Sequence, residues 1–174
     1  MGMDHVKTFH GPLDINNFYK LDNSERKSLR QKFNISEDTF VTGFVFRNQL
    51  RKSVPNLLEG YKIFKENNPQ TKTKLLLHTH FEEGWNIHKL ADEYDINKNE
   101  IITTYVCGKC FNYDIRSYSG ENQPCNYCGS ENTQETTNVK LGVSEEQLNE
   151  IYNLMDVYCH PFTSGGQEIP IQEA

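Results

Sequence analysis

An alternation of short apolar runs and helix-period stretches predicts an α/β fold, a Rossmann-like parallel sheet flanked by helices with a small zinc-ribbon insertion. Two observations carry the sheet. Apolar runs recur at 40–46 (FVTGFVF), 74–78 (KLLLH), 100–106 and 156–160, and continuous runs of this kind suit strands covered on both faces. Stretches of helical spacing separate them, and a strand, helix, strand rhythm with short joints is how parallel strands are connected. A third observation carries the insertion: four of the five cysteines form two CxxC pairs inside one interruption of that rhythm.

The elements follow in order. Residues 1–36 hold the extended HGPLDINNFYKL stretch and a short polar helix around 24–33, an entry or linker segment rather than core. After the first strand, Ser53 is the expected N-cap and Pro55 sits in the first turn. Val54, Leu57, Leu58, Tyr61 and Phe64 then form one helix face, and Pro69 ends it. Beyond the second strand, Ile87, Leu90, Ala91 and Tyr94 mark another face. The rhythm breaks at 107–138 and resumes with Ser144 and Gln147 as a capping box before Leu148, Ile151, Tyr152 and Met155. The last strand leads through Ser164, Gly165 and Gly166 into a new helix start at Pro170. A turn of that kind at the carboxyl end of a parallel strand offers N–H groups beside the positive end of a helix, which suits phosphate.

Composition bounds the function. At 174 residues the chain suits one domain, and a mean hydropathy of −0.73 predicts a lean core or an apolar face that expects a partner. A net charge of −6 argues against sequence-independent nucleic-acid binding, which is built on phosphate neutralisation. No apolar run approaches the roughly 20 residues of a membrane span, and MGMDHVKTFH lacks a signal-peptide core. A cytoplasmic protein is expected, with membrane association only indirect if any.

CGKC at 107–110 and CNYC at 125–128 present two pairs of thiolates. Brought together they make the tetrahedral four-sulfur site that zinc prefers, with Cys107, Cys110, Cys125 and Cys128 as ligands of one structural zinc. Two disulfides are disfavoured in a reducing compartment, while a rubredoxin-like iron has the same spacing. Four protein ligands leave no open position, so no catalytic metal is expected. The aromatics in and around the ribbon, Tyr105, Phe111, Tyr113, Tyr118 and Tyr127, suit base stacking or an interface, but Lys109 and Arg116 are its only basic residues, which favours a rigid strut or dimer contact. Cys159, in an expected buried strand, reads as a small hydrophobe and not a catalytic thiol.

Arg47 directly follows the first strand and Lys52 lies five residues on, both at the carboxyl end where open α/β sheets bind ligands. Arginine forks onto phosphate oxygens, and lysine, or the neighbouring Arg51, adds a point charge. His160 closes the fourth strand as a pocket-lining candidate, and His10 in the entry segment could approach the same cleft. His78 and His80 point to one side of the chain, a metal pair for which no third ligand is evident.

Three stretches resemble the donor-binding half of retaining GT-B glycosyltransferases, the group 1 or family 4-like enzymes that include sucrose and glycogen-type synthases and many lipopolysaccharide and capsule enzymes. HGPLDINNFYKL is similar to their linker, GFVFRNQLRKSVPNLLEGY to their strand, Arg, Lys and helix block, and GVSEEQLNEIYNLMDVYCHPFTSGGQEIPIQEA to their terminal helix, strand and donor loop. The resemblance implies a truncated C-terminal half of a GT-B fold, its donor domain spanning 37–106 and 139–174, and a missing N-terminal acceptor domain without which the isolated chain would show little turnover. It implies transfer of a sugar from a nucleotide-diphosphate-sugar donor to an acceptor with retention. Arg47 and Lys52 would hold the diphosphate and stabilise it as leaving group, backbone N–H groups around Gly166 and Gln167 would add to the cradle, and Glu173 would bind the ribose. The family commonly carries a glutamate where Gly165 stands, and Glu168 is three places away. An inactive sugar-nucleotide-binding homologue is therefore an alternative reading, as is a zinc-ribbon nucleic-acid or protein-binding module on an α/β scaffold.

Overall fold

The computed structural model describes residues 13–163 and 168–174. Four parallel strands form the centre of a six-stranded mixed sheet: β1 (Phe40–Val45), β2 (Thr73–His78), β3 (Ile101–Cys107) and β6 (Val157–Tyr158), in the order β3-β2-β1-β6. The insertion supplies β4 (Tyr113–Ser117) and β5 (Gln134–Thr136), both antiparallel to β3. The sheet is thus parallel from β3 to the β6 edge and antiparallel only where the ribbon joins it, because a short excursion from a strand can return antiparallel but has no room for a crossover.

Register places the ribbon against the site. Tyr105 and Val106 pair with both β4 and β5, so β5 must occupy the opposite edge of β3 from β4. That edge is the one β2 uses, at Ile101 to Thr103. β5 therefore continues the line of β2 beyond its carboxyl end.

Helices cover both faces. On one, α2 (Val54–Asn67) and α3 (Ile87–Glu93) bury Val54, Leu57, Leu58 and Ile87 on Phe44, Leu75 and Leu77. On the other, α1 (Asn23–Lys32) and α4 (Glu145–Leu154) bury Leu29, Ile151 and Leu154 on Val41, Leu76 and Ile102. The alternation of Leu75, Leu76 and Leu77 between the two faces is the period of a strand buried on both sides. The entry segment contributes to this core, since Leu29, Phe33 and Ile35 are buried.

Local signals are used as their chemistry dictates. Ser144 accepts from the Gln147 N–H at 3.2 Å while the Gln147 side chain accepts from the Ser144 N–H at 3.0 Å. Ser53 does precede α2, but in the left-handed region (φ 51°) with no side-chain cap bond, so Pro55 and the tight 50–52 turn start that helix instead. The fourth strand is two residues long, not five. A short helix, α5 (Ile169–Glu173), follows at the carboxyl terminus. A Cβ at Gly43 would lie 2.1 Å from Met155 Sδ, so Met155 packs into the space the glycine leaves and would have to move to admit a side chain. No helix among the described residues is long and apolar enough to cross a membrane.

Candidate functional site

Two sites emerge, and β3 joins them. At its end, Cys107, Cys110, Cys125 and Cys128 bring their sulfurs within 4.8 Å of one another. Cys107 and Cys128 sulfurs are 3.8 Å apart, Cys110 and Cys125 3.7 Å. A tetrahedron with metal–sulfur bonds of about 2.3 Å has sulfurs about 3.8 Å apart, so the four thiols fit one metal such as zinc and are too far apart for disulfide bonds. Each knuckle turns an N–H toward a sulfur, as anionic ligands require: Lys109 and Cys110 donate to Cys107 Sγ at 3.4 and 3.5 Å, and Tyr127 donates to Cys125 Sγ at 3.4 Å. Burial raises the Cys107 thiol, but the Thr133 hydroxyl and these N–H groups outweigh it and bring it to about 6. Burial pushes Cys125 up to about 11, so its ionisation at neutral pH needs the cation itself.

The second site is a crevice of about 330 Å³ at the carboxyl ends of β1 and β2. Arg47, His78, His80 and Glu83 line it, with Thr137, Asn138 and Val139 from the ribbon's return and Pro170 from α5. Its volume is in the range of small-molecule sites, and its place is where open α/β sheets bind ligands. Asn48 pins the 80–85 loop that carries Glu83. Fully buried, it donates to the Trp85 carbonyl at 2.9 Å and accepts from the Trp85 N–H at 3.0 Å. Gly84 fits beneath it with φ +65°, where a Cβ would meet the Asn48 carbonyl oxygen at 2.1 Å.

The residues singled out in the sequence fall into different parts of this end. Arg47 is exposed and forks onto Glu83, Nε at 3.1 Å and Nη2 at 2.5 Å from Oε1. That pairing lowers the Glu83 carboxyl. Lys52 is buried and pairs with Glu168 at 2.6 Å, and Arg51 approaches the same carboxylate at 3.6 Å. His160 joins this second group: its Nε2 lies 3.3 Å from Glu168 and its Nδ1 lies 2.8 Å from the Tyr158 hydroxyl. Burial first, then the charge of Lys52, lowers the His160 pKa. Cys159 is half-buried beside Phe44 and its neighbours, as a small hydrophobe would be.

Glu173 accepts from the Tyr152 hydroxyl at 2.8 Å and faces a separate groove with Phe18 and Tyr19. Gly165, Gly166 and Gln167 lie outside the described residues, as does His10. His78 and His80 do share the crevice, yet the four cysteines are the only metal-competent cluster among the described residues. Burial pushes His78 down to about 4, so it is neutral at physiological pH. Glu83, Asn48, Glu121 and Thr136 were not singled out in the sequence, and no spacing or motif marks them. No family model matches the chain, and no curated protein matches it.

Proposed function

We propose that the chain binds a nucleotide-diphosphate sugar in the carboxyl-end crevice and contributes the donor half of a sugar transfer, with one zinc ion held structurally by the four cysteines. The observation that carries the reading is the crevice itself, where an arginine with a forked donor set stands at the carboxyl end of a parallel strand, with a buried lysine five residues on, outside the crevice lining but at the same end of the sheet. Both cations are occupied by carboxylates, Glu83 and Glu168. A diphosphate would replace those carboxylates, so binding is an exchange of anionic partners and not the filling of an empty cationic pocket.

In transfer, the bond between the sugar's anomeric carbon and the diphosphate oxygen breaks and its electron pair leaves with the diphosphate, while an acceptor hydroxyl oxygen bonds to the anomeric carbon and its proton passes to the departing diphosphate. Arg47 and Lys52 stabilise that developing charge, and such stabilisation is worth several kcal/mol per well-placed donor. Zinc takes no part in this step, because four thiolates leave it no open position. Calorimetric titration of the zinc-loaded chain with a panel of nucleoside diphosphates tests the reading. At least one should bind, and Arg47→Ala should weaken it by about tenfold or more, as expected for a lost charge-assisted fork. Failure of every diphosphate to bind at millimolar concentration would sink the proposal.

A further inference from the structure

The ribbon does more to the crevice than wall it. His80 Nδ1 lies 2.9 Å from the Thr136 hydroxyl oxygen, and that hydroxyl lies 2.5 Å from Glu121 Oε1. The Thr136 N–H also donates to Glu121 Oε2 at 2.6 Å, so both carboxylate oxygens are used by one residue. The Phe81 N–H donates to the same hydroxyl oxygen at 3.3 Å. A hydroxyl has one proton. Glu121, a carboxylate whose side chain is 6% exposed, can only accept it, so the Thr136 oxygen is left to accept from His80. Nδ1 must therefore carry a proton, and in the neutral imidazole Nε2 is then the acceptor nitrogen. Among the described residues no protein group pairs with that Nε2, and His80 lines the crevice beside Arg47.

Both supporting residues belong to the insertion. Glu121 lies between the two cysteine pairs and Thr136 in β5, which the pairing of Cys107 with Gln134 ties to the metal end of β3. We propose that Glu121 and Thr136 are positioning residues that hold His80 in its Nδ1–H form, so that the crevice presents a fixed hydrogen-bond acceptor beside a forked cation. The ligand class this pair recognises is a phosphorylated polyol, with a hydroxyl given to His80 and an anionic oxygen taken by Arg47. The ligand assignment rests on the donor-site reading above, whereas the relay rests on the side chains alone.

The deciding measurement is a long-range proton–nitrogen correlation spectrum of the ¹⁵N-histidine-labelled, zinc-loaded chain. His80 should show the Nδ1–H pattern. Thr136→Val should abolish it, and Thr136→Ser, which keeps the hydroxyl, should restore it. An Nε2–H pattern in the unmodified chain, or one unchanged in Thr136→Val, overturns the relay. Titrations with uridine and guanosine diphosphates and with inorganic pyrophosphate then separate the two readings. Thr136→Val should weaken whichever nucleotide binds by about three- to tenfold, the worth of one hydrogen bond, and leave pyrophosphate within twofold. An equal loss for both probes overturns the hydroxyl-acceptor assignment. Absence of all binding beside an intact Nδ1–H pattern sinks the donor site and leaves the relay standing.

Discussion

The sheet and the cysteine ribbon share β3, but different forces hold them. Along its first half, β3 lies between helices and buries Ile101 in one apolar cluster and Ile102 in the other. Beyond Cys107 the apolar supply runs out. Tyr113 and Ile115 of β4 turn back to the sheet's own core, and the knuckle aromatics Phe111 and Tyr127 are exposed. What remains to fix the tip of the ribbon is the four sulfurs and a set of turn hydrogen bonds, such as Gly108 N–H to the Thr133 carbonyl and Cys125 N–H to the Ser130 carbonyl, each at 2.8 Å. One region is therefore stabilised by burial, and the other, on the zinc proposal, by coordination, so the two should respond separately to perturbation.

Removing the metal is the largest perturbation. Structural zinc in small modules contributes an apparent ~10–16 kcal/mol of binding free energy, far more than the ribbon's few apolar contacts. Chelation, or Cys125→Ser, should abolish stoichiometric zinc binding and expose β5 to hydrogen exchange, while the amides of β1 and β2 keep their protection. Unchanged protection in β5 after the metal is stripped would mean that the ribbon is held by packing, and the contrast would collapse.

The converse variant is Leu76→Ala. Leu76 is fully buried at the centre of the sheet, and such truncations cost about 2–5 kcal/mol through lost transfer energy and a residual cavity. Chemical denaturation should show the loss, while zinc stoichiometry stays near one per chain. Zinc affinity falling in step with sheet stability would show one cooperative unit in place of two.

How much of this was legible in the sequence follows the same division. The strands at β1, β2 and β3 and the Ser144–Gln147 capping box were readable because their signals lie within a few residues. The cysteine cluster was readable because two CxxC turns impose their own geometry. Pairing of β4 and β5 on β3 was not, since register between distant segments leaves no periodic trace. The partners of the expected cations were equally hidden: Glu83 is 36 residues from Arg47, and Glu168 is 116 residues from Lys52. Nothing in the spacing of Glu121, Thr136 and His80 announces a relay, which exists only because β5 continues the line of β2. Arg26 and Arg30 belong to the short polar helix that reads as an entry segment, and no local signal marks them. In the fold they close on a single aspartate.

That aspartate provides the smallest and most pH-sensitive test of the comparison. Asp156 accepts from Arg26 and Arg30, each at 2.7 Å, and from the Val41 N–H at 2.8 Å. Arg30 is buried and also donates to the Thr39 and Leu154 carbonyls, so the cluster ties α1 to the end of α4 and the start of β1. Burial raises the Asp156 carboxyl, but the Val41 N–H and the two guanidinium groups outweigh it and hold it below its ordinary value of 3.8. A carboxyl lowered in the fold stabilises fully above its unfolded value, and that contribution fades as pH falls through the folded one. Asp156→Asn should therefore cost about 2 kcal/mol at pH 7, because Arg30 keeps its burial and loses its counter-charge. The deficit should shrink as the pH drops below about 4. Denaturation profiles of the two proteins across that range should converge in the acid limb while the loss of zinc with pH, set by the thiols, is the same in both. A deficit that stays constant down to pH 2 would show that the cluster acts through shape alone and not through charge.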